Sequence, residues 1–378
     1  MHKIYKKVGL YQNYFSMRIL IAFDKFKYTF SAEEITHIVA QLLDSDKYTI
    51  WEVPLSDGGE GFLDVIKRYV SAQFIELKTY NAILEVITAP VLVAGRVAFI
   101  ECANTCGIAN LPADKRNPLF TTSFGLGIQI KKLLESEGVS EFYIGLGGSA
   151  THDVGIGMAA ALGYRFIDVY KRELKPIGKN LIEINHIVFP KSFPSGVKFT
   201  GVCDVRNPLL GENGAAYTFA QQKGAREYEI QLLEKGTKNI SEKIRQYLKQ
   251  NIGYGAFEGA AGGLGAGIKA FLRGKLISGA QFVFKLADIE HKIKNADVII
   301  TGEGRLDKTS FKGKLTGEIY KLAVKYHKKL IVICGSLYGD IDLPNLEIYP
   351  LFYEKVPISI AKKLTPQRMK LVINNIFK

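Results

Sequence analysis

Short, uninterrupted apolar runs, each followed by a polar or glycine-rich loop and then a segment of helical periodicity, recur along this chain. MRILIAF, opening at Met17, runs into a loop, after which Ser31-Ala-Glu-Glu34 reads as a capping box and Ile35, Ile38, Val39, Leu42 and Leu43 follow at helical spacing. YTIWEVP leads through Asp57-Gly-Gly-Glu60 into an amphipathic segment carrying Phe62, Ile66, Tyr69 and Val70. Near the other end, Asp297–Thr301 and Lys329–Cys334 are two more such runs with room for a helix between them. A strand that is apolar on both faces must be covered on both, so this pattern predicts an α/β fold with an open parallel, Rossmann-like sheet.

A chain of 378 residues is long for one core and comfortable for two. Between residues 75 and 100 the pattern changes to short β segments, FIELKTY, EVITAP and RVAFIE, without intervening helices. A helix ending near Gly138, the strands EFYIGL and VKFTGVC, and a charged, solvent-facing helix from Glu227 to about Gln250 follow. The expected organisation is a discontinuous domain from residues 17–75 and 285–378, with a second α/β domain, 76–284, inserted. Residues 1–16 lack a secretory pattern and read as a disordered extension.

In open parallel sheets ligands bind outside the carboxyl ends of the strands. Those ends carry Asp24, Lys25 and Lys27; Asp57-Gly58-Gly59-Glu60; Glu101; Gly147-Gly148-Ser149-Ala150-Thr151 and Asp153; Asp204 and Asn207; and Glu303, Arg305 and Asp307. Any one of them is explained by helix capping or turn formation. All of them together describe a cleft of acids, bases and backbone donors.

Three glycine-rich segments differ in kind. GLGGSATHDVGIG (145–157) offers backbone N–H groups and the Ser149 and Thr151 hydroxyls to phosphate oxygens, and its His152 stands within reach of a ligand. GAAGGLGAG (259–267) is uncharged and suits either close helix packing or backbone approach to a nucleotide at Gly262 and Gly263. TGEGRLDKTSFKGK (301–314) mixes Glu303 and Asp307 with Arg305 and Lys314, which suits a Mg²⁺–polyphosphate ligand. No GxxxxGK[ST] element is present. Gly145-x-Gly147-x-x-Ala150 with Asp168 downstream matches a dinucleotide fingerprint, which keeps an NAD(P)-dependent oxidoreductase acting on a small hydroxy acid as the rival reading. Hydride transfer does not, however, require acids at every other strand end.

The net charge of +13 fits an anionic partner, and scattered lysines without aromatic interleaving argue against nucleic acid. No run approaches the roughly 18 apolar residues of a membrane span, so no membrane partner is expected. The four cysteines, Cys102, Cys106, Cys203 and Cys334, make no disulfide framework and read as buried thiols of a cytoplasmic protein. No histidine pair has metal-ligand spacing, and His37 belongs on the polar face of the first helix.

Asp24-Lys-Phe-Lys27 with Ser31-Ala, Leu55-Ser-Asp-Gly-Gly-Glu-Gly61, Gly147-Gly-Ser-Ala-Thr151, Cys203-Asp-Val-Arg-Asn-Pro-Leu209, Gln222-Lys-Gly-Ala225, Gly259-Ala-Ala-Gly-Gly-Leu-Gly265 and Thr301-Gly-Glu-Gly304 together resemble the bacterial glycerate kinase family, from Met17 to near the C-terminus. The resemblance implies a two-domain α/β enzyme that phosphorylates D-glycerate with ATP, most often to 2-phosphoglycerate, and it leaves room for a homodimer. The chain departs from the family pattern at three places: Lys25 stands for a small Ser, Tyr28 for Gly, and His152-Asp-Val-Gly155 for Asn-Asp-Gly-Gly. If the first loop needs that glycine, Tyr28 must either change φ or bear strain.

For such a transfer, Lys27 and Arg305 are the candidate cations facing carboxylate or phosphate, and Asp204, with Asp24 nearby in the motif set, the candidate to accept or orient the hydroxyl proton. Gly147, Gly148, Ser149, Thr151, Asp153, Asn207, Lys223, Gly262 and Gly263 are candidates for binding substrate or nucleotide. Asp57, Glu303 and Asp307 are candidates for Mg²⁺, directly or through water. A non-catalytic, ligand-binding relative is a third reading.

Overall fold

The computed structural model describes residues 16–135, 138–193, 195–311 and 313–378, so all but the last residue of the expected extension lies outside the described residues. In chain order its strands are β1 Met17–Phe23, β2 Tyr48–Glu52, β3 Gln73–Tyr80, β4 Val86–Ala94, β5 Val97–Glu101, β6 Glu141–Leu146, β7 Arg165–Ile167, β8 His186–Val188, β9 Lys198–Cys203, β10 Lys275–Ser278, β11 Val298–Gly302, β12 Arg305–Leu306, β13 Lys329–Leu337 and β14 Leu346–Phe352.

The first sheet is wholly parallel, in the order β2-β1-β11-β13-β14, and β12 pairs with the last residues of β13. Ile19 through Phe23 are all fully buried, and alternate residues serve opposite cores: Leu20 and Ala22 on one face, Ile19, Ile21 and Phe23 on the other. At roughly 1.5–3 kcal/mol per buried large apolar side chain, this two-sided burial is why the strand reads as a continuous apolar run. The helix Ala32–Gln41 begins at the expected capping box: the Glu34 N–H donates to Ser31 Oγ at 3.1 Å, and the Ser31 N–H donates to Glu34 Oε2 at 2.7 Å. His37 lies on its solvent face beside Glu52.

The second sheet is mixed, in the order β10-β9-β6-β5-β4-β3, parallel from β10 to β5 and antiparallel at β4 and β3. Its Ile100, Phe142, Ile144 and Leu146 enter a separate core, whereas Leu92, Phe99 and Val202 join the core of the first sheet. Tyr143 stacks on Phe99 and on Phe282, whose helix, Gly279–Leu286, packs between the sheets. Both junctions of the expected domain division fall inside elements, since β3 runs across residue 75 and the helix Gly279–Leu286 across residue 284.

The helix Glu227–Leu248 is less solvent-facing than its charge suggests, because Ile230, Leu233, Ile240 and Ile244 are buried along one stripe together with Glu229 and Glu234. In the segment Ala260–Phe271, Ala261, Gly262 and Gly263 all have positive φ and bend its start before the regular helix. The four cysteines are free and buried, as expected.

What positions the cleft is a close backbone approach. The loop after β2 is held between β9 and the start of the Gly279 helix. A Cβ on Gly58 would lie 2.7 Å from the Val202 carbonyl oxygen, and one on Gly279 would lie 1.9 Å from that of Asp57. A methyl group at position 279 must therefore push the Asp57 loop away. Gly279→Ala is expected to lower the unfolding free energy by about 1–3 kcal/mol, the usual range for overpacking, and to lower turnover with it. Urea unfolding that matches the unsubstituted protein would contradict this packing.

Candidate active site

Because all strands of the first sheet and four of the second run parallel, their carboxyl ends gather on one side. Three adjoining cavities open there. The first, about 560 Å³, lies over the ends of β1, β11, β13 and β14 and is lined by Asp24, Lys27, Asp57, Asp204, Glu303, Arg305, Asp307 and Lys314 at its polar end. The second, about 650 Å³, reaches from Asp24 to Glu101 and the capped start of the first helix. The third, about 240 Å³, runs from Asp57 and Asp204 to Gly147, Gly148, Ser149 and Lys223. Lys25 and Lys27 border all three.

The electrostatics of this junction follow from crowded carboxylates. Burial, Asp57 and Glu303 push the Asp24 carboxyl well above its usual range, against Lys25 and its N–H, which donates to Oδ1 at 2.8 Å. Asp204 follows the buried β9, and burial, then the charge of Asp57, raises it to about 8, with Lys314 opposing. Its Oδ1 is buried and has no hydrogen-bond partner. Glu303 is raised by burial, although Thr316 Oγ1 donates to it at 2.9 Å and Lys314 stands nearby. Burial works against the charge of Lys25, but Asp57, Asp24, Glu60 and Glu101 hold its pKa above the ordinary lysine value, and its Nζ donates to the Glu60 carbonyl at 2.7 Å.

The third cavity contains a second buried cation. Lys223 Nζ donates to Ser149 Oγ at 2.9 Å and to the Thr151 carbonyl at 2.8 Å, and burial lowers its pKa to about 8. Gly148, at φ 66, turns the chain in front of it. A glycine loop with a buried ammonium behind it is a small, anion-accepting pocket.

Other sequence candidates lie elsewhere. Asp153 lines none of these cavities: it is fully buried, and its carboxylate accepts from the N–H groups of Ser123, Gly155 and Gly157 and from Ser123 Oγ. His152 is buried too, bonded through Nε2 to Thr237, with burial and Lys223 lowering its pKa to about 3. Asn207 ties its own loop by donating to the Asn213 carbonyl. Gly262 and Gly263 face the protein, since a Cβ on Gly262 would lie 1.9 Å from the Thr151 carbonyl oxygen. Thr151 is fully buried. Lys25, Glu101 and Lys314, to which the sequence assigned no individual role, all border the cleft. Their positions at strand ends or in the 301–314 loop were the available signal.

Tyr28, at the mouth of the first two cavities, has φ 70, so the first loop does adopt the left-handed turn and this aromatic residue bears the strain. Val154 has φ 52, the other position at which the resembling family carries glycine. Each such residue costs roughly 1–2 kcal/mol.

Among the described residues no three His, Cys, Asp or Glu side chains are grouped to hold a metal by themselves. Asp307 is engaged by the N–H and Oγ1 of Thr309. The unpartnered Asp204 Oδ1 and the mutual repulsion of Asp24, Asp57, Asp204 and Glu303 fit a cation held by one or two carboxylates and completed by ligand phosphates, which is the usual protein environment of Mg²⁺.

The dinucleotide reading fails on geometry. After Gly145 and Gly147 the chain reaches no helix until Ile156, and the Asp168 carboxylate is taken up by Tyr170 N–H, Arg172 N–H and Arg172 Nε. Comparison with known proteins agrees. The model of the glycerate kinase family matches residues 19–378. The chain is 36% identical over 335 residues to the glycerate 2-kinase of Escherichia coli K12, covering 86% of this chain and 87% of that one. It is 33% identical over 370 residues to a glycerate kinase of Bacillus cereus, covering 95% and 97%. A crystal structure of a Salmonella typhimurium LT2 protein assigned as glycerate kinase 2 superposes with a TM-score of 0.79 at 30% identity, over 96% of this chain and 97% of that one. Motif order, architecture and whole-length similarity coincide, and the chain belongs to the glycerate kinase family.

Proposed function

We propose that this protein transfers the γ-phosphoryl group of ATP to the 2-hydroxyl of D-glycerate, giving 2-phosphoglycerate and ADP, in the cleft where the three cavities meet. The observation that carries this reading is Asp204, whose buried, unpartnered Oδ1 stands between the large cavity and the glycine-loop cavity, with lysines on both sides. The lobes meeting at this cleft are taken as residues 17–75 with 285–378, and 76–284.

The substrate hydroxyl donates its hydrogen bond to the Asp204 carboxylate, which orients the oxygen for in-line attack. A bond forms from that oxygen to the γ-phosphorus, the bond to the bridging oxygen of ADP breaks, and the hydroxyl proton ends on Asp204. A base whose pKa lies near neutrality is suited to this exchange. Lys27, Arg305 and Lys314 bring positive charge to the polar end of the large cavity, toward the phosphate oxygens. Lys25 holds the Glu60 carbonyl and offsets the charge of Asp24 and Asp57. Lys223 and the Gly147–Ser149 loop accept an anionic group of either substrate. Mg²⁺, bound through Asp57 and Glu303 together with the nucleotide phosphates, would neutralise charge on the transferred group.

Phosphorus NMR of the pure protein with ATP, Mg²⁺ and D-glycerate tests the reaction directly. A phosphomonoester signal split into a doublet by the single C2 proton is expected; a triplet would place the phosphate on C3, and no new signal would overturn the kinase reading. Asp204→Asn is expected to abolish turnover while leaving nucleotide affinity nearly unchanged, and substantial remaining activity would remove Asp204 from its role. Lys27→Ala is expected to raise the glycerate KM or lower kcat in steady-state kinetics; unchanged values would make Lys27 structural.

The raised pKa also predicts a pH dependence of stability. Folded Asp204 retains, up to about pH 8, a proton that the unfolded chain releases near its ordinary value of 3.8. Its contribution is therefore fully present at the acid end of that window and is lost as the pH rises through it. Asp204→Asn cannot lose it. The stability of the variant relative to the unsubstituted protein should grow between pH 5 and pH 8 in urea unfolding with a chelator present. A constant or shrinking difference would show that Asp204 is not held protonated.

A further inference from the structure

The large cavity has two unlike ends. One is the crowd of acids and cations already described. The other is apolar, formed by Phe26 from the first loop, Phe352 at the end of β14, and Val356, Ile358 and Ala361 at the start of the C-terminal helix Ile358–Ile376. Phe26 and Phe352 are buried beneath this end, and the Arg368 guanidinium, 4.6 Å from the Phe352 ring centre, fixes that ring from behind. Ile358 is left 54% exposed at the rim. Among the described residues, the backbone groups of Glu354 and Lys355, next to Val356, make no hydrogen bond, so main-chain donors and acceptors stand free beside the apolar wall.

A three-carbon acid has no surface to match such a wall. A nucleotide does: a flat base whose faces are apolar and whose edge is read by backbone groups, joined through ribose to a polyanion. The cavity, lined from Ile358 to Lys314, has a volume of about 560 Å³, within the range of sites for ligands of that size. We propose that the nucleoside half of ATP lies against Phe26, Phe352, Val356, Ile358 and Ala361, with its phosphates directed to Lys27, Arg305 and Lys314. The small acid then takes the 240 Å³ cavity of Gly147, Gly148, Ser149 and Lys223, and the two meet at Asp204. This inference rests on the kinase reading and assigns the nucleotide's place within it.

The test separates base from phosphates. ADP and inorganic tripolyphosphate are titrated calorimetrically into the unsubstituted protein, into Ala361→Trp, which fills the apolar end, and into Ile358→Glu, which places a carboxylate at its rim. Ile358 is exposed in the first helical turn, where an acid is well tolerated, so that variant remains informative if the tryptophan disturbs folding. Both variants are expected to bind ADP at least about tenfold more weakly and tripolyphosphate within about twofold of the unsubstituted protein. Folded variants that bind ADP normally, or that lose ADP and tripolyphosphate equally, overturn the assignment and leave the kinase reading standing. No ADP binding by the unsubstituted protein overturns the kinase reading itself.

Discussion

The organisation of the cleft depends on the repulsion among carboxylates delivered to one place by parallel strands. Asp24, Asp57, Asp204 and Glu303 follow β1, β2, β9 and β11, so two separate sheets contribute to a single negative centre. Like charges held together in a partly buried setting cannot all ionise freely, and the raised pKa values of Asp24 and Asp204 express this. Three of the strands carrying these acids, β1, β9 and β11, are largely buried, whereas β2, which leads to Asp57, is only partly so. The lysines around the junction make the same point. Lys25 keeps its charge because four acids surround it, whereas Lys223, deeper and facing mostly neutral groups, loses part of its basicity.

Bringing the two sheets close enough for their acids to interact requires backbone contact at the seam. Gly58, Gly147 and Gly279 leave no room for a side chain where the Asp57 loop meets β9, the glycine loop and the helix between the sheets. Tyr28 is the opposite case, an aromatic residue in a left-handed turn that glycine would adopt freely. Its ring lies 5.0 Å from Lys27 Nζ, so the strained residue at the cavity mouth also steadies one of the cations.

The parallel architecture was legible because period and burial agree: β1 is apolar on both faces and buried on both faces. The acids at the strand ends were legible for the same reason, since topology alone sends them to one side. The glycine-rich segments were less so. A glycine that lets a phosphate approach and a glycine that lets another loop approach look alike in sequence, and Gly262, against the Thr151 carbonyl, is the second kind. Asp153 illustrates a related ambiguity, because an aspartate among glycines binds backbone N–H groups as readily as it binds a ligand. Lys25 and Lys314 border the cleft through loop conformations that no periodicity encodes. In the helix Glu227–Leu248, charge masked the buried stripe, since Glu229 accepts from the Arg226 N–H and Asn117, and Glu234 from the Gly211 N–H.

These constraints bear on the proposed transfer through the charge around Asp204. Burial and Asp57 raise the Asp204 carboxyl to about 8, and Lys314 provides the main opposing charge. Positive charge entering beside it, or a partner for Asp57, lowers that pKa and favours the ionised carboxylate, the form that can accept a proton. Glycerate adds negative charge and works against that change; a nucleotide accompanied by a divalent cation works for it. In the proposed reaction, the ionisation of Asp204 would thus follow the charge brought by the co-substrate on the far side of the junction. On that proposal, acid crowding links the ionisation of Asp204 to the presence of the phosphoryl donor.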